Sequence, residues 1–323
     1  MHARTIARFL SLPAAAIIAS LGTAAHAQNF NLSAVPTGTG WYFGISEAAR
    51  VVSANTPYEI TVRESGGTRE NAIRIGRGEV DLAFTEALVA YELYNGVGRF
   101  EDEHNPDFRM LFAIAQSTMH WAVGADTDIE TVEDLEGQPF NPSTIGGGGE
   151  YITEQVFNTL GIHPDYQRMR LADAAEAVVD GRIVGLSYNA IPPNPSFTEV
   201  HTNRPLRLLE ITDEHFETVS AELPFLAQTV VPADTYSGMP DTQTIGIFMS
   251  FAANAELDDD VAYEMTKAFW ENHEEVANAF PAAQGVTPEV SVAVATYPIH
   301  AGAVRYYQEL GIDIPEEVMP PEM

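Results

Sequence analysis

The sequence predicts an α/β fold of about two domains, and three observations predict it. Strand-like and helix-like segments alternate from residue 28 onward, the order that builds largely parallel sheets flanked by helices. Glycine-rich turns lead into helix-like runs at three places, "PTGTGWYFG", "ESGGTREN" and "STIGGGGEY". A chain of 323 residues that is 45% apolar is long enough for about two cores. No internal repeat and no flexible Pro/Ser linker interrupts the pattern, so crossing strands are expected to join the domains.

The elements follow in chain order. "NFNLSAV" is a strand that enters the first glycine loop and then the helix "ISEAARVVSAN". "YEITVRES" alternates like a strand and enters the second loop, followed by the helix-like "AIRIGRG". "EVDLAFTE" is a short apolar strand, and "ALVAYELYNG" is a helix stopped by Gly96. "FRMLFAIAQ" and "HWAVGAD" are two strands, and Thr131 is the expected cap of a short helix in "TVEDLEGQPF". The third loop opens the helix "ITEQVFNTLG". "AEAVVDGRIVGLSYNAIPPNP" reads as helix, turn, strand and Pro-rich loop, and "PLRLLEI" as a strand. "DDDVAYEMTKAFWENHEEVANAF" is one long helix with aspartates to cap it, ending before Pro281.

The first residues read as a targeting segment. Arg4 and Arg8 precede the apolar run "FLSLPAAAIIASLG", and "AHA" at Ala25–Ala27 offers small residues to a signal peptidase. Residues 1–27 are therefore expected to be a cleaved secretory signal, with an uncleaved anchor as the alternative. The chain has no cysteine, which excludes disulfides, thiolate metal sites and a lipidated N-terminal Cys. An exported chain with neither lipid nor membrane helix fits the periplasm.

Forty-six acidic residues against sixteen basic ones give a net charge of −30, with a single lysine, Lys267. That balance argues against nucleic acid and anionic lipid as partners. It resembles proteins adapted to high salt, where ions screen the self-repulsion; an ordinary acidic protein is the other reading.

Ligands of α/β sheets sit at the carboxyl ends of strands, where helices begin. All three glycine loops fall there. Glycine lets backbone N–H groups approach a ligand, and the partial positive charge of a helix start favours an anion. Ser65, Thr68 and the amides around Gly66 and Gly67 therefore form a candidate donor cradle. Trp41 and Tyr42 either wall a pocket or belong to the core. Tyr188, Asn189, Asn194 and Phe197 either close a pocket from the second domain or shape a loop. Arg63, Arg69, Arg74 and Arg77 either attract an anionic solute or pair with Glu64, Glu70 and Glu79. Glu86, at a strand end, either binds an amine or cation or caps the next helix.

The enzyme motifs H-E-x-x-H, G-x-S-x-G and the P-loop lysine are missing, and no cofactor fingerprint is present. His300 is either a structural histidine before a helix or, with a carboxylate, the acid–base pair of a secreted hydrolase or lyase. A subunit that presents a bound solute to a sensor is a third class.

Together "GTGWYFG", "ESGGTRENAIRIGRGEVDLAF", "DGRIVGLSYNAIPPNP" and "YPIHAGAVRYYQELG" resemble the TAXI family, periplasmic solute receptors of TRAP transporters. The resemblance runs over nearly all of the chain after residue 27. It implies a type II periplasmic-binding-protein fold: two α/β lobes, joined by crossing hinge strands, that close over a solute. The expected division is 28–120 for the first part of lobe I, 121–243 for lobe II and 244–323 for the return to lobe I. The implied function is a non-enzymatic receptor without cofactor, a monomer that delivers a small carboxylate, such as glutamate or a related dicarboxylate, to the TRAP membrane subunits. The implied binding positions are Thr39, Trp41 and Tyr42; Ser65, Gly67, Thr68 and Asn71; Thr85 and Glu86; and the loop Thr144, Gly146, Gly147 and Gly148. Arg63, Asn189 and Asn194 join them from the reading of the residues above. Three departures bear on the solute. The family's usual tyrosine pair after the first loop is Trp41–Tyr42 here. The family's "S-G-T" hydroxyls are replaced by glycines in the third loop, and Glu86 places a carboxylate where it would repel an acidic ligand.

Overall fold

Strand β1 (Gln28–Ser33) buries Phe30 and Leu32 and pairs in parallel with β2 (Tyr58–Arg63) and β3 (Leu82–Glu86). The computed structural model describes residues 28–145 and 147–323. The expected signal segment and Gly146 lie outside the described residues. Helices α1 (Gly40–Ala54) and α2 (Thr68–Gly76) make the crossovers between these strands. Helix α3 (Ala87–Asn95) ends, as its sequence predicts, on Gly96 in the left-handed region, φ 63°.

Strand β4 (Phe108–Gly124) is a single 17-residue strand where the sequence suggested two. No glycine or proline interrupts it before Gly124, so nothing local breaks the extended backbone. Next come β5 (Pro139–Asn141), α4 (Gly148–Thr159), β6 (Asp165–Tyr166), α5 (Leu171–Val179), β7 (Gly185–Ala190) and α6 (Pro195–Asn203). After these the chain forms β8 (Leu206–Leu208), α7 (Asp213–Glu222), β9 (Leu226–Val231) and β10 (Thr242–Asn254). Strand β10 is not among the elements expected from the sequence.

The last segment holds α8 (Asp259–Glu271), α9 (His273–Ala279), α10 (Pro288–Ala293) and α11 (Ala301–Glu309). The expected single helix from Asp258 is thus two. Asn272 leaves helical geometry at φ −119° and ψ 17°, and its side-chain amide donates to Ala268 O. Asp258 caps α8 as expected, accepting from the Asp260 and Val261 N–H groups. At the turn 133–135 the capping group is Asp134 rather than Thr131. Its carboxylate accepts from the Glu130 and Thr131 N–H groups and from the Thr131 hydroxyl.

The strands form one sheet in the order β2-β1-β3-β10-β4-β7-β5-β6, with β8 on β4 and β9 on β10. Pairing is parallel among β1–β3 and among β5–β7. It is antiparallel wherever β4 and β10 take part. The expectation of largely parallel sheets therefore holds inside each end of the sheet and fails at its middle, because β10 returns the chain against β4.

Both long strands pass between two cores. Ala113 and Ala115 of β4 and Met249 and Phe251 of β10 pack with Phe84, Phe112 and Phe269. Met119 and Trp121 of β4 and Ile245 and Ile247 of β10 pack with Phe140, Val156 and Phe157. A third cluster, with Tyr188, Phe197 and Tyr236, lies under α5 and α6. This is the two-lobed α/β architecture with crossing strands that the sequence implied. Helix α3 bridges the lobes: Val89 and Leu93 join the first core, while Ala87 and Leu88 join the second. Among the described residues no helix is long and apolar enough to cross a membrane.

Candidate functional site

The second glycine loop is wired into the first lobe. The Ser65 hydroxyl donates to Ala34 O at 2.9 Å and accepts from the Gly67 N–H at 3.1 Å. The Glu70 carboxylate accepts from the Gly66 N–H at 2.7 Å. Gly67 adopts φ 133°, a region open to glycine, and stands as N-cap of α2, so Thr68 is the first helical residue. Asn71 is fully buried. Its amide donates to Ala34 O and Phe84 O, and its carbonyl accepts from the Ser33 hydroxyl at 2.7 Å. Asn71 thus ties β1, β3 and α2 together, an engagement the spacing alone did not reveal.

In the first loop the Thr39 hydroxyl donates to Pro36 O and accepts from the Tyr42 N–H at 3.1 Å, which makes it the N-cap of α1. Trp41 packs on Phe84 and edge-on to Phe280, each at 5.7 Å between ring centres. Trp41 and Tyr42 are both partly buried against the first core. Arg63 is exposed at the end of β2, with its Nε donating to Asn31 Oδ1 at 2.7 Å.

The third loop presents backbone. Ser143 sits at φ 113°, and Gly147 donates to Thr144 O at 2.9 Å before α4 begins at Gly148. A Cβ on Gly149 would lie 2.7 Å from Ser143 Oγ and 3.1 Å from Asn189 Cβ. That contact seats the helix start on β7. A Cβ on Gly148 would point the other way, 3.0 Å from Glu86 Oε1 in the opposite lobe.

Glu86 is therefore where the lobes meet. It ends β3, is 6% exposed, and lies beside the Thr68 hydroxyl at the start of α2 and Gly148 at the start of α4. Two helix starts, one from each lobe, converge on one carboxyl group. Burial pushes its pKa up, the Arg99 charge pulls it down, Glu92 pushes it up again, and the Thr68 hydroxyl favours the charged form. Thr85, next to it, is fully buried, and its hydroxyl donates to Glu86 O at 3.3 Å.

A cross-lobe cluster flanks this point, and the sequence reading missed it. Tyr151 of α4 donates its hydroxyl to Glu92 Oε1 of α3 at 2.8 Å. Arg99 donates Nε to Glu92 Oε2 at 2.9 Å and lies 4.5 Å over the Tyr151 ring. Burial and the Glu92 carboxylate push the Tyr151 phenol up to about 12. Arg99, Tyr151, Glu154 and Arg168 line a recess of about 420 Å³ here. One terminal nitrogen of Arg99 is buried without a hydrogen-bond partner among the described residues. The signal for this cluster was Glu92 itself, an acid within the apolar run "ALVAYELY".

Not every expected position converges. Asn194 caps α6 by accepting from the Phe197 N–H at 3.0 Å, and its own N–H donates to the Tyr236 hydroxyl. Asn189 stays at the third loop, with its carbonyl oxygen buried and unpartnered among the described residues. His300 is fully buried as N-cap of α11. Its Nδ1 accepts from the Gly302 N–H, and its backbone N–H donates to Met110 O, near the end of β4 that lies in the first lobe. Burial lowers the His300 pKa.

Solved structures share this architecture at low identity. A TctC solute-binding protein from Polaromonas is 13% identical, with a TM-score of 0.56 over 88% of this chain and 98% of that one. PhnD1 from Prochlorococcus marinus, solved with methylphosphonate, is 11% identical, with a TM-score of 0.52 over 79% and 91%. A putative periplasmic sulfonate-binding protein, SsuA from Methylobacillus flagellatus, is 11% identical, with a TM-score of 0.52 over 78% and 70%. The fold is thus that of the two-lobed periplasmic binding proteins. A sequence profile matches residues 32–311, and by that match the chain belongs to the NMT1-like family.

Proposed function

We propose that the protein is a periplasmic solute receptor of a TAXI-type TRAP transporter. In this reading a small carboxylate, such as glutamate or a related dicarboxylate, binds between the lobes and passes to the membrane subunits. The observation that carries the reading is the convergence of two helix starts from opposite lobes on one buried polar point. The first-turn N–H groups of a helix have no intrahelical acceptor, so such starts bind anions. The opening amides of α2 and α4 would take the solute carboxylate, with Arg63 adding positive potential at the rim. Trp41 and Tyr42 would bound the carbon body, and Asn189 would offer its unpartnered carbonyl oxygen.

Binding of this kind needs closure and complementary donors rather than bond chemistry. His300, the base that a hydrolase or lyase reading would use, is buried as a helix cap. Residues 1–27 would be removed on export, leaving Gln28 at the N-terminus of a monomer, which intact mass and light scattering check. The acidic surface would reflect a saline habitat, and the melting temperature would then climb toward molar NaCl, where the Debye length falls to about 3 Å.

The deciding experiment is titration calorimetry of the exported protein with small mono- and dicarboxylates. Saturable one-to-one binding without turnover is expected. Turnover of a bound carboxylate, or binding confined to solutes that lack one, would overturn the reading.

A further inference from the structure

We infer that Glu86 is a specificity-determining residue of the cleft, and that it selects a solute carrying a protonated nitrogen. The inference rests on the receptor reading and narrows its substrate class.

Glu86 is 6% exposed at the contact between the lobes, against Gly148 and Thr68. An acid in that position is costly unless a cation or hydrogen bonds compensate it. The cation that bears on it is Arg99, but Arg99 is already bonded to Glu92 and stacked on Tyr151. Arg168, which lines the recess with Arg99, is itself paired with Glu150 and Glu154. One arginine thus stands between two carboxylates, Glu86 and Glu92. The local balance is negative: Arg99 is bonded to Glu92 and only bears on Glu86 by its charge, and the Thr68 hydroxyl is a neutral partner.

A dianionic solute would enter against that balance. A solute with a protonated nitrogen beside Glu86 would restore it, while its carboxylate used the amides of the helix starts. The glycine at 148 is consistent with this, because any side chain there would press on the Glu86 carboxyl group. Glutamate meets this requirement; dicarboxylates without nitrogen do not.

The test uses matched probes on the full exported chain: L-glutamate against glutarate, 4-aminobutyrate against butyrate, and butylamine alone. Calorimetry on wild type should show the nitrogen-bearing member of a pair binding about tenfold to a hundredfold more tightly, the range of a hydrogen bond to a charged group. Glu86→Gln should erase that preference, and Glu86→Asp should keep part of it. Circular dichroism and thermal melting establish that both variants fold. Glutarate or butyrate binding wild type as tightly as its nitrogen-bearing twin would overturn the inference. So would a Glu86→Gln variant that keeps the preference, since Glu86 would then not be the group that reads the nitrogen. If butylamine binds in a Glu86-dependent way and no carboxylate does, the assignment of Glu86 stands and the carboxylate reading fails.

Discussion

The second and third glycine loops look alike in sequence and behave differently in the fold. The loop at 64–68 is held by side chains: Ser65 on Ala34 O, Glu70 on the Gly66 N–H, and Asn71 across β1 and β3. The loop at 143–149 works through the lack of side chains. Gly149 lets α4 sit on Asn189 and Ser143, and Gly148 lets it approach Glu86 of the other lobe. One loop is a preassembled platform, and the other is shaped for close approach. The same glycine-rich pattern thus serves rigidity in one lobe and fit in the other.

The largest expected effect breaks the platform. Asn71→Ala removes both donors and the acceptor of a fully buried amide, leaving Phe84 O and the Ser33 hydroxyl to find new partners while Ala34 O keeps only the Ser65 hydroxyl. Buried groups left unpaired cost about 1–3 kcal/mol each, so the variant should lose about 3 kcal/mol or more. Thermal melting should record a fall of roughly 6 °C or more. A melting temperature equal to wild type would mean the platform is held by other contacts.

Breaking the fit should spare the fold and spoil binding. Gly148→Val puts a branched side chain where a Cβ already lies 3.0 Å from Glu86 Oε1. Overpacking of about 1–3 kcal/mol should fall on the closed state and weaken solute binding by roughly tenfold or more. Small-angle scattering should show a more open molecule, and the melting temperature without solute should stay near wild type. Unchanged affinity would show that the lobes do not need this approach.

A milder change sharpens the comparison at the lobe contact beside the fit loop. Tyr151→Phe deletes the hydroxyl that joins α4 to Glu92 of α3. A ligand's affinity depends on the population of the closed form, so loss of about 0.5–1.5 kcal/mol from it should weaken binding by about twofold to tenfold. Calorimetry on the two proteins measures it. Equal affinities would place the bond outside the closure equilibrium.

The subtlest effect concerns pH. Burial raises the Glu86 pKa above its ordinary value of 4.5, so the folded state favours the protonated form. That contribution is present at low pH and is lost as pH rises through the raised pKa. Wild type and Glu86→Gln should therefore melt alike in acid, and the variant should gain on wild type as pH rises above 4.5. A constant difference across that range would mean Glu86 is compensated when charged.

Local physics made much of this molecule legible. Caps and stops such as Asp258 and Gly96 act over three or four residues, so they are readable in "DDDV" and "YNGV". The alternation of strands and helices is a burial pattern written along the chain, and it carried the fold class. The helix break at Asn272 and the fusion of two strands into β4 were less legible, since each depends on what packs beside it.

The amino-acid sequence by itself determined that helices begin at the glycine loops and that carboxylates far outnumber cations. Capping and composition are short-range properties, which explains why they could be read directly. Tertiary structure alone decided that Asn71 is bound inside the first lobe, that Glu92 finds Tyr151 59 residues away, and that Glu86 faces Gly148. Those outcomes depend on how β4 and β10 set one lobe against the other. The free energy of a buried charge is set by the partners that this placement brings to it.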